Sequence, residues 1–198
     1  GSLEAVLDEL QKFQNDDGGF GHGVEPDIQM PFSSPLVSSV AFQVLRDVSA
    51  PTDHKMVRSG IAYFERSFNR SIGGWEQVTP ESNNYPRASW WNYQPVTEGD
   101  RLSPLLQSNP GAEILGYLRM YADQAHSNFI DEVTEQIFDA FDRLPDDMEE
   151  HVMMCFVRLA EMSPGRIADR LLPKLRRGVL LVTGKSSEDW ESYGGLPL

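Results

Sequence analysis

The sequence predicts an all-α fold in which helical hairpins repeat along the chain, and three observations support this prediction. Apolar residues recur at helical spacing through most of the 198 residues. No stretch shows the alternating pattern of a convincing β-strand. A turn made of two glycines and an aromatic residue follows a helical pattern twice, at residues 18–20 and again at 73–75.

The two turns form a sequence repeat with an offset of 55 residues. At this offset Phe20 falls on Trp75, and Phe13 before the first turn falls on Phe68. Glycine adopts positive φ without a Cβ penalty, so each glycine pair is a natural end for the preceding helix. A helix, a Gly-Gly turn and a buried aromatic residue, repeated at a fixed offset, are typical of an array of helical hairpins.

Seven helices are predicted from apolar stripes and capping residues. In chain order they cover residues 3–14, 35–47, 57–68, 110–121, 128–144 and 148–162, followed by a last helix from 163 onward. Ser34 before Pro35 is a strong helix start, because serine caps a helix and proline is favoured at its first position. Asp146 with Glu149 three residues later resembles a capping box. Pro173 is expected to kink the last helix.

Two long loops separate these helices, at residues 15–33 and 76–108. Each follows a Gly-Gly turn, so both are expected to leave equivalent ends of neighbouring hairpins and to lie on the same rim of the helical layer. The second loop is rich in aromatic residues, which disordered segments lack. They are Tyr85, Trp90, Trp91 and Tyr93. Loops of this length inside a compact domain are often functional. The tail from Gly184 to Leu198 is predicted to be a further loop, around Trp190 and Tyr193.

The composition indicates one soluble domain spanning residues 1–198. Hydrophobic residues make up 40% of the chain, enough for a sizeable core, and Gly1-Ser2 resembles the remnant of an expression tag. The net charge of −13 disfavours nucleic acid as a partner, because an acidic surface repels phosphates. No apolar run approaches the roughly 20 residues that a membrane span needs. Cys155 is the only cysteine, so an intrachain disulfide is impossible and a reducing, cytoplasmic location is expected.

The pattern Gln-x-x-Asp-Gly-Gly-Phe, from Gln14 to Phe20, resembles the QW-type repeat of squalene cyclases and other terpenoid cyclases. It is also similar to the related repeat of protein prenyltransferase β subunits. The second copy has Asn69 and Ile72 in place of the glutamine and the aspartate. The resemblance, which covers roughly residues 3–80, implies an α/α toroid, in which inner and outer rings of helices surround a central cavity.

Seven helices are too few to close such a toroid, so the chain is expected to form a partial or open arc. An open arc leaves apolar helix flanks without neighbours, and exposed apolar patches usually mark an interface. The chain is therefore expected either to self-associate as a homo-oligomer or to be part of a longer chain.

The catalytic motifs of these families are missing from the sequence. The acidic motif with which squalene-type cyclases protonate an alkene would fall at residues 33–36, which hold no carboxylate. No Asp-Asp-x-x-Asp motif for magnesium and diphosphate is present. The zinc-binding Asp-x-Cys of prenyltransferases is also missing, since Met153 stands two residues before Cys155. His151 and Cys155 have a spacing that can share a metal, but Cys155 falls within an apolar stripe. No metal and no cofactor are therefore expected.

Asp16 and Asp17 are weak candidates for catalytic residues, either as a general acid or as a pair of metal ligands. Adjacent helical side chains point about 100° apart, so they would not easily chelate one ion together. The alternative, which local chemistry favours, is that one carboxylate binds backbone N–H groups of the turn.

The two long loops supply better candidates for a site. Glu25 and Asp27 are a carboxylate pair that could contact a ligand or, as weak candidates, act in catalysis. Arg87, Trp90 and Trp91 add charge and flat apolar faces, which suit a sugar or a small amphipathic ligand. Alternatively, the two tryptophans plug the end of the helical barrel, and Arg87 pairs with a carboxylate for structural reasons. The predicted ligand contacts are His22, Glu25, Asp27, Arg87, Trp90 and Trp91.

Three classes of function stay open at this point. The first is a terpene cyclase- or prenyltransferase-like protein that binds a small molecule in its central cavity. The second is a carbohydrate-processing enzyme, because glycosidases use a pair of carboxylates. The third is an interaction module without chemistry. An isoprenoid ligand predicts a deep apolar cavity, and a carbohydrate predicts an open polar groove.

Overall fold

The computed structural model describes residues 2–97, 103–123 and 126–183, and this part of the chain is all-α. Its eight α-helices are α1 (Leu3–Gln11), α2 (Pro35–Asp47), α3 (Lys55–Ser67), α4 (Pro104–Ser108), α5 (Gly111–Tyr121), α6 (Ser127–Arg143), α7 (Glu150–Met162) and α8 (Arg166–Thr183). Two 3-10 turns, Pro80–Asn84 and Ser89–Trp91, lie in the second long loop. These described residues contain isolated β-bridges but no strand. The prediction of an all-α fold is confirmed, while the toroidal arrangement stays a prediction.

Helix α5 is the centre of the molecule. Nine of its eleven residues are buried, and it packs against α2, α3, α4, α6 and α7. A helix that is apolar on almost every side is stable only when neighbours surround it. Helix α8 packs against α7.

Both Gly-Gly turns contain a glycine with positive φ, Gly18 or Gly73, followed by a buried aromatic residue. Phe20 and Trp75 are both fully buried, and the Trp75 indole N–H donates to the Phe64 carbonyl at 2.8 Å. Gly18 packs against Ser59 of α3, and Gly74 packs against Gln107 of α4. Each turn thus places its aromatic residue in the core, as the repeat predicts. The glycines do not end the preceding helices, because α1 already ends at Gln11 and α3 at Ser67.

Several helix boundaries differ from the prediction. Helix α1 ends at Gln11, and α6 begins at Ser127, with His126 as its N-cap. The short helix α4 lies within the segment that was predicted to be loop. These differences arise where backbone hydrogen bonds or tertiary packing, rather than an apolar stripe, set the limits of a helix.

The predicted capping box at α7 is wrong. Glu149 is the N-cap itself, because its Oε2 accepts a hydrogen bond from the Val152 N–H at 3.0 Å. Asp146 instead binds the Arg177 guanidinium, with distances of 2.5 and 3.1 Å between the paired atoms. A partner 31 residues away therefore engages the side chain that the local pattern assigned to a cap.

Helix α8 continues through Pro173 to Thr183. No helix in the described ranges is long and apolar enough to cross a lipid bilayer. The loop predicted for Gly184–Leu198, with Trp190 and Tyr193, lies outside the described residues.

Candidate functional site

The two long loops lie side by side, paired through their backbones. Ile28 and Arg87 form an antiparallel bridge. On either side of it, the Gln29 N–H donates to the Pro86 carbonyl at 2.9 Å and the Ala88 N–H donates to the Asp27 carbonyl at 2.9 Å. These hydrogen bonds fix the first loop, 15–33, against residues 76–97 of the second.

Asn15 braces the first loop from inside. Its amide nitrogen donates to the Pro31 carbonyl and to the Ser33 hydroxyl, both at 3.0 Å. Its Oδ1 lies 2.9 Å from Nε2 of His22. His22 has a positive φ of 56° and Gly23 a positive φ of 79°, which creates a tight turn. His22 is exposed, and its ring contacts Asn15 of its own loop.

The residues that carry the family resemblance hold the first Gly-Gly turn together. The Gln14 amide nitrogen donates to the Gly18 carbonyl at 2.9 Å and to the Met56 carbonyl and Ser59 hydroxyl of α3, both at 3.0 Å. Asp17 Oδ1 accepts the Gly19 N–H at 2.9 Å. These contacts favour the structural interpretation of Asp17.

Asp17 has two further contacts. The same Oδ1 accepts the Ser33 hydroxyl at 2.7 Å, and the Asp17 carbonyl accepts a hydrogen bond from Arg66. Asp16 beside it is exposed. The two aspartates therefore have separate surroundings, and the geometry does not pair them.

Aromatic side chains cover the paired loops. Trp90 is 61% exposed and Phe32 is 51% exposed. The Phe32 ring packs edge-on against Tyr85, with ring centroids 6.0 Å apart. Trp91 is half-buried and packs against the core. The plug interpretation therefore fits Trp91 in part and is wrong for Trp90. We call Phe32, Tyr85, Trp90 and Trp91 the aromatic loop surface.

Arg87 holds the second loop in shape. Its Nη1 donates to the Ser82 carbonyl at 3.2 Å and to the Tyr85 carbonyl at 3.0 Å. The expected structural pairing of Arg87 with a carboxylate is thus replaced by bonds to two carbonyl groups of the loop. The guanidinium stays with the backbone that carries Tyr85.

Three buried polar atoms of this loop have no hydrogen-bond partner in the structure: Ser82 Oγ, Arg87 Nε and Trp91 Nε1. Buried polar groups without a partner are uncommon in folded proteins. Two of the three, the Arg87 and Trp91 nitrogens, can only donate. The loop beneath the aromatic side chains therefore has unused donor capacity.

Glu25 and Asp27 lie in the first loop, at and just before its backbone pairing with the second loop. Glu25 is half-buried, and its Oε1 accepts a long hydrogen bond of 3.4 Å from the Asp27 N–H. The Asp27 side chain is exposed, while its carbonyl joins the second loop. The backbone pairing of residues 27–29 with residues 86–88 thus brings the two loop segments that carry Asp27 and Arg87 together.

A second polar cluster, between α5 and α7, escaped the sequence analysis. Glu113 is only 2% exposed. Its Oε1 accepts the Tyr117 hydroxyl at 2.5 Å, and its Oε2 accepts Arg158 Nη1 at 3.0 Å. A single carboxylate in an otherwise apolar helix is the sequence signal that could have revealed it, since buried charges in proteins are normally paired.

Cys155 belongs to this cluster and is unsuited to nucleophilic chemistry. Its Sγ lies 3.8 Å from Glu113 Oε2. Burial and the nearby Glu113 carboxylate raise the pKa of the thiol, which disfavours the reactive thiolate. His151 binds Glu149 at 2.5 Å instead of sharing a site with Cys155. In the described ranges, no group of three or more histidine, cysteine or acidic side chains is arranged to hold a metal.

Comparisons of the chain with models of known families, with curated proteins and with solved structures found no match. The site is therefore interpreted from its own geometry.

Proposed function

We propose that this protein binds a small amphipathic ligand, with a carbohydrate as the best fit, on the aromatic loop surface. The observation that carries the proposal is the 61% exposure of Trp90 on a loop that is paired by backbone hydrogen bonds to its neighbour. An exposed indole offers a large, flat apolar face on which a ligand can pack. A braced loop also loses little entropy when a ligand is held.

The polar groups around the aromatic residues favour a ligand with many hydroxyl groups. Glu25 and Asp27 supply acceptors at the edge of the surface, and Arg87 and Trp91 supply unused donors beneath it. Sugars combine apolar faces, which pack on aromatic rings, with hydroxyl groups that both donate and accept hydrogen bonds. The open, mixed surface matches the expectation for a carbohydrate better than the deep apolar cavity expected for an isoprenoid.

The resemblance to terpenoid cyclases and prenyltransferases supports the helical hairpin repeat more than it supports their chemistry. Gln14 and Asp17, which carry the resemblance, form hydrogen bonds within and around the turn. We therefore propose binding rather than squalene cyclisation or metal-dependent diphosphate chemistry. Squalene and farnesyl diphosphate are expected to remain unchanged on incubation with the protein.

The test is a calorimetric titration of the wild-type chain and of Trp90→Ala with cello-, malto- and chito-oligosaccharides, with farnesol as the isoprenoid probe. We expect at least one oligosaccharide to bind and Trp90→Ala to weaken binding by roughly tenfold or more, because stacking on an exposed aromatic ring supplies much of such an affinity. The melting temperature of Trp90→Ala should stay near that of wild type, since the side chain is mostly exposed.

Leu105→Ala is the matched control, because Leu105 is a 51% exposed apolar residue on α4. It should leave binding unchanged. Failure of every oligosaccharide to bind, or equal binding by wild type and Trp90→Ala, would contradict the proposal. Binding of farnesol alone would favour the isoprenoid class instead.

A further inference from the structure

An apolar groove runs between α7 and α8, away from the aromatic loop surface. Its volume is about 680 Å³, and its lining includes Val157, Leu172, Leu175 and Leu180. Such grooves on a folded protein usually mark a contact surface.

The end of α8 exposes apolar side chains next to this groove. Leu180 is 72% exposed and Leu181 is 55% exposed. We call Leu180 and Leu181 the leucine ridge. Burial of exposed leucine side chains is favourable, so a partner that covers this ridge is stabilised by it. A partner that fills the groove must also cover the ridge, because Leu180 belongs to both.

The charges at the rim indicate what the partner is. Glu161 and Arg176 are the two charged residues that line the groove. Glu161 has 62% of its side chain exposed and lies 3.5 Å from Arg46. Arg176 is exposed and forms no ion pair within the described part of the chain, whereas Arg170 and Arg177 of the same helix pair with Asp142 and Asp146. A patch with one acidic and one basic residue at its rim is complementary to itself under a two-fold rotation.

The charge of the whole chain points to the same surface. Two copies with a net charge of −13 each repel one another over most of their surface. Helix α8 is the most basic of the described helices, since its sequence holds five basic residues and a single acidic one. A contact that includes α8 therefore involves less of the negative charge that keeps two copies apart, and the Arg170–Asp142 and Arg177–Asp146 pairs reduce the positive charge of α8 itself.

We propose that two copies of this chain form a two-fold dimer through the α7–α8 groove, with Leu180 of each copy in the groove of the other. Arg176 of each copy then faces Glu161 of its partner, at the two edges of the apolar contact. This inference does not depend on ligand binding at the aromatic loop surface, because the groove shares no residue with that surface.

Sedimentation velocity across the micromolar range tests the apolar part of the contact. Wild type should show a concentration-dependent dimer, and Leu180→Glu should be monomeric with an unchanged circular dichroism spectrum. The control Leu105→Glu places the same charge on an exposed leucine of α4 and should remain dimeric. A monomeric wild type, or a dimeric Leu180→Glu variant, would overturn the proposal.

A mixing experiment tests the charge pairs and the two-fold symmetry. Arg176→Glu and Glu161→Arg should each weaken homodimers by roughly tenfold, because each puts like charges opposite one another. Mixed together, the two variants restore both ion pairs, so native mass spectrometry should detect mainly the heterodimer. No gain of heterodimer over homodimer would contradict the proposed pairing.

The same sedimentation experiment distinguishes a second copy from an intramolecular cover of the groove. If residues 184–198 cover the groove, the full chain stays monomeric and a chain that ends at Thr183 dimerises. That result would overturn the proposal in favour of an intramolecular cover.

Discussion

Asp17 anchors the first Gly-Gly turn. One of its carboxylate oxygens accepts hydrogen bonds from the Gly19 N–H and from the Ser33 hydroxyl. These bonds join the two ends of the first long loop, which then pairs with the second. A residue that could serve as an acid catalyst instead shapes the loop that presents Glu25 and Asp27.

Replacing Asp17 tests this role directly. Asp17→Ala should lower the free energy of unfolding by about 1–2 kcal/mol, because two donors lose a charged acceptor. Asp17→Asn should cost less, since its amide oxygen can still accept both bonds. The neighbouring Asp16→Ala is the control and should stay within about 0.5 kcal/mol of wild type. Urea unfolding of the three variants gives the comparison, and equal losses at positions 16 and 17 would contradict the anchoring role.

Single residues were predictable from the sequence only where their partners are close in the chain. The contact of Asp17 with the turn follows from the local hydrogen-bonding habit of aspartate. The pairing of Glu113 with Arg158 joins residues 45 positions apart, and no local pattern specifies it. Arg87 was expected to meet a carboxylate, but carbonyl groups of its own loop bind it instead.

At the scale of elements, the Gly-Gly turns decide how closely neighbouring hairpins approach. Gly18 has a φ of +85°, and a Cβ at this position would overlap the Ser59 carbonyl of α3. Gly165, before α8, has nearly the same φ of +86° but nothing within 4 Å of the Cβ position. A comparison of Gly18 with Gly165 therefore distinguishes the cost of backbone strain from the cost of a steric clash within one protein.

Alanine at these two glycines should have different effects. Gly165→Ala should cost about 1–2 kcal/mol, the usual penalty for a left-handed backbone with a Cβ. Gly18→Ala introduces the same strain and also forces the turn away from Ser59 of α3, so its loss should be larger by about 1–3 kcal/mol. Thermal unfolding of both variants measures the difference. Equal losses would mean that the turn does not need the close contact with α3.

Elements with strong local signals were predicted well, and the others were not. Ser34 caps α2 by accepting the Val37 N–H at 3.3 Å, and Pro35 is the first helical residue, as predicted. Helix α4 was missed, because five residues are too few to show an apolar stripe. The two long loops were expected to lie on the same rim from their shared position after Gly-Gly turns, but no sequence pattern indicated that their backbones pair. The exposure of Trp90 was not predictable, because an indole fits a core and a binding surface equally well.

At the scale of the whole molecule, the burial of ionisable groups makes the free energy of unfolding depend on pH in the alkaline range. Tyr63, Tyr117 and Cys155 are all buried. Burial, assisted by Asp17 for Tyr63 and by Glu113 for the other two, raises the pKa of each group above its ordinary value, which is 10.0 for tyrosine and 9.0 for cysteine. Each is neutral while protonated, so the folded state holds these protons more tightly than the unfolded chain does.

The protein should therefore unfold in alkali. Above pH 9–10 the unfolded chain releases protons that the folded state retains, so the free energy of unfolding falls as pH rises. Below pH 9 these groups are protonated in both states, and their contribution is fully present. Tyr63→Phe removes one such proton and keeps the ring, so the fall in stability should become shallower by up to about 1.4 kcal/mol per pH unit above pH 10. Urea unfolding at a series of pH values, normalised to each variant at neutral pH, measures both slopes. Identical slopes for wild type and Tyr63→Phe would show that Tyr63 ionises as easily in the folded protein as in the unfolded chain.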